Sequence, residues 1–550
     1  MSAIGTDGLV DLNQLKTEIE SQGGRVTGTT FPVTITIGNT SYQVDQYGNI
    51  TEPSTVPQIS YTVTNTDGTE ITSNNLPESA KLNVTITNIS ELTVTSIKIK
   101  NSSGTEITGA TVDVTKGTIS TQITENGKYI VEIVATDKKG KNASASPEIQ
   151  VSGKIKIANI EANWTVADST NSNDDWYAYK DNSGTKAQVN VPKLADGMTA
   201  IKYSTDSDLT AGSKWANAMT KDGSMWVWIP RYAYKITYTN SSNKSAGGTI
   251  NIAFLKDATN EFLDNTIQGE IKTNINDVTY TTNGDGTKSQ DQWLVAPAFT
   301  LGAESIKGFW FAKFEASNTK ASATNDPDLT LQIKPKVTSW INMTSLNMFT
   351  ACQNLTSDSK YSTYFNSKDK IDTHMTKNVE WGAVAYLAHS KYGLNGDEIG
   401  INTNSSYKTG IENDGSSAYN TDVGKNSSTT KNVYGIYDMS GGAYEYVAAC
   451  YTGYTNKLTA NTDTAYINKY IDVYESYNSP RFGDAVLETS SGSSGSTSWF
   501  SDYSNFVSAD YPVFVRGGDF TNGSNAGLFF FGNNSGSYAY FVFRPVCVVK

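Results

Sequence analysis

The chain has 550 residues, 18% of them charged, and a formal net charge of −12. At roughly 100–200 residues per domain that length implies three or four domains, and an acidic balance without a basic stripe argues against nucleic-acid binding. A charged fraction below the usual quarter, with abundant Asn, Ser, Thr, Gly and Tyr, is the composition of an extracellular or virion β-protein; no run of 18 apolar residues could span a bilayer.

In chain order, residues 1–52 read as a small unit. Leu9, Leu12, Leu15 and Ile19 recur at helical spacing behind Asp7, which predicts a short amphipathic helix. Segments 31–37 and 42–44 predict a hairpin. It carries Phe31-Pro32-Val33-Thr34 and ends in Asp45 to Asn49, and so resembles the segment that follows the membrane helix in pilin-like surface proteins of Gram-positive bacteria. That resemblance implies an N-terminal membrane anchor removed from this chain, which has no membrane segment of its own.

Residues 53–153 alternate apolar and polar side chains at 59–63, 81–86, 94–99 and 129–135. Turn signals at Gly104, Gly109, Gly117 and Gly127 lie between them, and Asp137-Lys138-Lys139-Gly140 predicts a hairpin turn. Seven short strands at this spacing predict an immunoglobulin-like β-sandwich. The segment resembles bacterial immunoglobulin-like or fibronectin-type spacers, and without an aromatic cluster its expected role is that of a spacer.

From residue 154 the character changes: nine of the ten tryptophans fall between Trp164 and Trp381, enough aromatic area for a sizeable core. Runs 225–236 and 308–314 predict strands, with Pro230 at a strand edge or bulge. Helices are predicted at 344–353 and 378–392, the second amphipathic with Gly393 as its C-cap; His374 and His389 are expected at the surface. Cys352, Cys450 and Cys547 form neither a metal nor a redox motif. Buried thiols are expected, with one disulfide left open. The polar insertion 489–513, with Trp499, Phe500, Tyr503 and Phe506, is expected to form a lip beside the C-terminal face.

Two stretches carry the functional signal. In 433–447 (VYGIYDMSGGAYEYV), Asp438-Met439 and Gly441-Gly442 predict a turn, and Glu445 is enclosed by apolar neighbours. A buried carboxylate needs a partner, and Arg516 or Arg544 is expected to supply it. Residues 516–545 run from Arg516-Gly517-Gly518 to Phe543-Arg544-Pro545, with strands predicted at 514–518, 526–531 and 540–547 and turns at 522–523 and 532–536. Gly517 and Gly518 suit a turn or bulge, and Phe529, Phe531 and Phe543 read as core. The candidate ligand contacts are Asp519, Phe520, Thr521, Asn522, Phe530, Asn533, Asn534, Ser537, Tyr538, Ala539, Tyr540 and Val542. Tyr set among Ser, Asn and Gly is the composition of antibody-like binding loops.

Residues 516–545 resemble the variable region of proteins diversified by retroelements, a C-terminal piece of a C-type-lectin-like fold. Segment 433–447 resembles the signature of the formylglycine-generating-enzyme superfamily, which shares that fold. Together they imply a mainly β, multidomain chain whose residues 154–550 form an α+β C-type-lectin-like domain. Arg516, Gly517, Gly518, Arg544 and Glu445 then serve as structural frame. In that family an error-prone reverse transcriptase randomises adenines, chiefly in Asn codons; such codons cannot yield Lys, Glu, Gln, Met or Trp, and none of these occurs in 519–542. Val542 stands where the family carries Gly.

The implied function is a surface-displayed or virion ligand-binding protein, an adhesin or receptor-binding protein. It would sit outside the cell, on a bacterial surface or phage, and take a macromolecular or cell-surface ligand, protein or glycan. No cofactor or metal is expected, since neither the Glu-Pro-Asn nor the Trp-Asn-Asp calcium motif is in place; a homo-oligomer is left open. The alternative is a structural pilus or phage tail subunit with a fixed C-terminal interface, which oligomerisation through Tyr538 and Tyr540 would favour. A formylglycine-type oxidase would need a Cys pair after Arg-Gly-Gly, where the next cysteine is Cys547.

Overall fold

The computed structural model describes residues 10–37, 40–51, 58–64, 81–101, 104–122, 127–151, 164–169, 176–203, 213–320, 324–413, 417–478, 481–537 and 540–550. The protein is mainly β, 36% strand against 15% helix, as a turn-rich sequence with alternating apolar positions predicts. Its backbone divides into two compact units, Met1–Ile155 and Lys156–Lys550.

In the N-terminal unit, Asp11 starts the helix Leu12–Ser21 by accepting from the Asn13 and Gln14 N–H groups, which satisfies two otherwise orphaned donors. Leu9 and Asp7 lie outside the described residues. Leu15 packs with Val26, Val33, Ile35 and Val44, from the antiparallel meander Arg25–Thr27, Val33–Ile37, Thr40–Val44 and Ile50–Thr51.

Beyond it, two antiparallel sheets share one apolar core. One orders Tyr61–Thr64, Lys81–Ile86, Thr118–Gln122 and Thr111–Asp113; the other is built on Gly127–Asp137. Leu92–Asn101 runs along one edge of that long strand, with Asn142–Ala145 and then Glu148–Val151 along the opposite edge. The last edge strand is thus split in two around Pro147, which has no N–H to donate. Leu82, Val84 and Ile119 meet Ile97, Ile99, Val131 and Ile133 inside.

The C-terminal unit is built on an antiparallel seven-stranded sheet ordered Trp164–Val166, Thr199–Tyr203, Asn217–Met219, Met225–Pro230, Gly308–Ala312, Pro545–Val549, Ile371–Met375. Pro230 ends its strand, and the chain passes directly to Tyr232–Tyr238 in a second, six-stranded sheet. The expected helices occur at Ser345–Asn354 and Asn378–His389. The second is not amphipathic: all twelve residues are buried, and it ends at His389 with Ser390, not Gly393, as cap. Its close packing is visible at Gly382, where a Cβ would stand 2.2 Å from the Gly483 carbonyl oxygen.

Both histidines are buried, contrary to expectation. His374 bonds Asp372 through Nδ1 at 2.9 Å and Glu380 through Nε2 at 2.8 Å, tying a sheet edge to the first turn of the buried helix. Burial alone would lower its pKa, but Glu380 and Asp372 outweigh that and raise it to about 9. The three cysteines are free and buried.

Candidate ligand-binding face

A third sheet carries the strands of this segment as far as Val542. The strand Val513–Gly517 lies antiparallel between Tyr444–Tyr451 and Gly527–Asn534, and Phe541–Val542 returns alongside Tyr444–Tyr451. Both bracketing arginines are fully buried. Arg516 donates to Asn378 Oδ1 and to the Asp484, Ala485 and Leu528 carbonyls, with its guanidinium 5.6 Å from the Trp381 ring centroid.

Arg544, not Arg516, pairs with Glu445: Nε lies 2.8 Å from Oε2 and Nη2 2.7 Å from Oε1. Its remaining donors reach the Ala312 and Tyr437 carbonyl oxygens at 3.1 and 2.6 Å. Arg516 stands opposite Glu445 in the strand register, yet its guanidinium turns to Asn378 Oδ1 and three backbone carbonyls.

Two more buried carboxylates stand within the field of Arg544. Asp438 accepts from the Gly410 N–H at 2.7 Å and Asn402 Nδ2 at 3.0 Å, and Ser339 Oγ donates to Glu315. Burial pushes Asp438 up to about 6 and Glu445 up to about 7 against the pull of Arg544, and holds Glu315 well above the usual carboxylate range. The frame also depends on two left-handed glycines. At Gly518 (φ 74°) a Cβ would lie 2.8 Å from the Ala526 Cβ, and at Gly441 (φ 74°) 2.2 Å from the Asn402 carbonyl oxygen. The turns they make are joined where the Phe520 N–H donates to the Gly442 carbonyl at 3.1 Å.

On this frame sits an aromatic face. Tyr407 stacks parallel to Tyr540, centroids 5.4 Å apart, and meets Phe520 edge-on at 5.7 Å. Tyr444 stacks on Phe541 at 5.4 Å, and Phe530 lies 5.8 Å from Tyr444 and 5.9 Å from Tyr503. Tyr540 is 60% exposed. Asp519 closes the 519–522 turn: its Oδ1 accepts from Thr521 N and Oγ1 at 3.0 and 2.7 Å, and its N–H donates to Asn522 Oδ1 at 2.8 Å. The phenols of Tyr407 and Tyr444 are both raised, first by burial and then by the Asp519 carboxylate.

Of the predicted contacts, Thr521, Ser537 and Tyr540 are exposed, and Asp519, Phe520, Asn522, Asn533 and Asn534 are half-buried. Asn533 donates to the Phe506 carbonyl oxygen at 2.6 Å and Asn534 accepts from the Tyr446 hydroxyl, because the strand continues to Asn534 where a turn was expected. Phe530 and Val542 are corrections: at 2% and 0% exposure they support the face from below. Phe530 holds rings above it, and Val542 packs with Ile341 and Ala443. Tyr538 and Ala539 lie outside the described residues.

Tyr407, Tyr444 and Phe541 were missed as face residues. Tyr407 follows Asn404-Ser405-Ser406, the same Asn/Ser/Tyr loop composition that marks 516–545, so it carried a usable signal. Among the described residues, no group of three or more His, Cys, Asp or Glu side chains is arranged to hold a metal, and no helix is long and apolar enough to cross a membrane. No protein-family model matches the chain, and no curated protein matches it.

Proposed function

We propose that this chain is a ligand-binding protein of a cell surface or virion, an adhesin or receptor-binding protein. Its C-terminal unit is read as C-type-lectin-like, with a face diversified by a retroelement, and the two-sheet sandwich as an immunoglobulin-like spacer. The observation that carries the reading is the division of roles within 516–545. Arg516 and Arg544 are fully buried and bonded, whereas Thr521 and Tyr540 between them reach solvent. Side chains there can change without touching the frame, and rigid aromatics with adaptable polar neighbours suit surface recognition. The thiols favour a binder over a formylglycine-type oxidase: all three are buried, and burial pushes Cys450 up to about 12 and Cys352 well above the thiol range.

The test is deep sequencing of codons 516–545 in a native population, with a search beside the gene for a near-identical template and a reverse transcriptase. Changes concentrated at adenines in the codons for Asp519, Thr521, Asn522 and Tyr540, with Arg516 and Arg544 constant, are expected. An invariant segment without a template would overturn the diversified reading and leave a fixed adhesin or a structural subunit.

A further inference from the structure

We infer that Asp438 is the positioning residue of the ligand face: its carboxylate closes the loop 402–410 and so sets Tyr407, the ring against which Phe520 and Tyr540 rest. The inference rests on reading this face as a ligand-binding surface and adds what holds that surface in shape.

Both side-chain bonds of Asp438 come from the two ends of one loop. Oδ1 takes Asn402 Nδ2 at 3.0 Å and Oδ2 takes the Gly410 N–H at 2.7 Å; neither donor lies in a helix or a sheet strand. Inside the loop the fully buried Asn404 repeats the arrangement on a smaller scale. Its Oδ1 accepts from the Ser406 and Lys408 N–H groups at 3.0 and 3.3 Å, on either side of Tyr407. Tyr407 itself sits at φ 50°, a left-handed backbone that a bulky residue keeps only where its surroundings impose it. The Ser339 N–H, donating to the Tyr407 carbonyl at 2.8 Å, fixes the tip from the other side.

From this loop the order passes to 516–545 by two routes. One runs through rings: Tyr407 packs on Ile341, Ala443 and Val542 and meets both Phe520 and Tyr540. The other runs through backbone: the Gly442 N–H donates to the Asn402 carbonyl at 2.7 Å, and the Gly442 carbonyl accepts the Phe520 N–H at 3.1 Å. Asp438, Asn402 and Tyr407 all lie outside the segment read as diversified. Whatever side chains stand at 520 and 540 therefore meet the same ring in the same place. The cost of ordering them falls on folding and not on binding, which is how preorganisation raises affinity.

The experiment is hydrogen exchange of the full chain read by mass spectrometry, together with fluorine NMR of a chain in which Tyr407 is replaced by fluorotyrosine. Asp438→Asn keeps the size of the side chain but turns an amide NH₂ toward one of its two donors. Peptides covering 402–410 and 519–522 should then exchange about tenfold faster, and the fluorine resonance should move toward that of free fluorotyrosine. The strands Met225–Pro230 and Gly308–Ala312 should exchange as before. His374→Gln is the control for general loosening, because it breaks bonds to Asp372 and Glu380 and none to the loop. It should lower the melting temperature and leave the fluorine resonance in place. Unchanged exchange and an unshifted resonance in Asp438→Asn would overturn the proposal, as would equal acceleration throughout the C-terminal unit or the same fluorine shift in His374→Gln. Should Asp438→Asn lose its near-UV circular dichroism, Asn402→Ala, which removes one of the two bonds from the loop's own side, decides by the same readouts. None of these readouts requires a ligand. Their failure leaves the binding-face reading to the sequencing test, and an invariant segment in that test leaves the positioning result standing.

Discussion

The two units solve the same problem with different materials. In the N-terminal unit the sandwich core is aliphatic apart from Tyr129, and its ion pairs, such as Lys98–Glu106 and Lys128–Glu148, stand at the surface with each side chain 42–58% exposed. In the C-terminal unit, Arg544, Glu445 and His374 are buried and bonded inside. Burying apolar area is tolerant of sequence, whereas a buried charge is favourable only with every partner in place. The C-terminal unit must hold long irregular connections in one arrangement, and directional internal bonds do that where apolar packing would accept several. Charge-altering perturbations should therefore act on one unit and spare the other. All ten tryptophans lie after residue 163, so their fluorescence follows the C-terminal unit, while hydrogen exchange follows both.

The largest effect is expected from Arg544→Met, which strands Glu445 with Asp438 and Glu315 in the interior. A loss of about 3–5 kcal/mol from the C-terminal unit is expected, measured by denaturant unfolding with tryptophan fluorescence, with exchange in the sandwich unchanged. Glu445→Ala should lower the melting temperature of the same transition; an unchanged value would remove the pair from any stabilising role. Gly518→Val comes next: it imposes a left-handed φ on a branched residue and drives its Cβ into Ala526, for an expected cost of about 1–3 kcal/mol.

Raising the pH should then weaken the C-terminal unit alone. Asp438 and Glu445 have folded pKa values above their ordinary ones, at about 6 and about 7. Their contribution is full below about pH 4, where the unfolded groups are still protonated, and is lost as pH rises through those folded values. His374, raised to about 9, likewise contributes fully below its ordinary value and loses that contribution as pH rises through 9. These slopes share a sign, Asp484 and Glu488, raised to about 6 and about 7, add to them, and His389 and Lys313, both lowered by burial, oppose them; with four carboxyls on the falling side, the fluorescence melting temperature should fall between about pH 5 and about pH 7. Equal destabilisation of the sandwich would break the contrast. The smallest effect is expected from Tyr540→Ala, whose ring is mostly exposed: a change within about 0.5 kcal/mol, read in the same unfolding experiment.

What the sequence disclosed followed the range of the interactions involved. The helix through Leu12, Leu15 and Ile19, the Asp137 hairpin turn, the strand at 81–86 and, within one residue, the strand expected at 514–518 are local consequences of turn chemistry and side-chain periodicity and are readable, whereas the cap is Asp11 and not the expected Asp7. That Glu445 needs an arginine was readable too, since an acid in the run Ala443-Tyr444-Glu445-Tyr446-Val447 has few other ways to be buried. Which arginine it takes was not, because backbone carbonyls from 484, 485 and 528 claim Arg516 first. Phe530 is expected outward because strand alternation sets it on the face opposite the core residues Phe529 and Phe531, and Val542 because it stands where the resembled family carries Gly. Rings and loops from distant segments cover them. His374 was assigned to the surface for a related reason: its acid partners lie on the same strand and across a strand-to-helix junction, a spacing that no single periodicity reveals.

The strand Pro545–Val549 lies inside the seven-stranded sheet, between Gly308–Ala312 and Ile371–Met375. During synthesis those two partners emerge long before it does, and the sheet stays divided until the last of 516–549 has left the ribosome. Any stop or frameshift within 516–545 removes the strand that joins the two parts. A ribosome-level error in the segment that meets the ligand would thus be reported as failure to fold, and such chains would be open to proteolysis before they could be displayed.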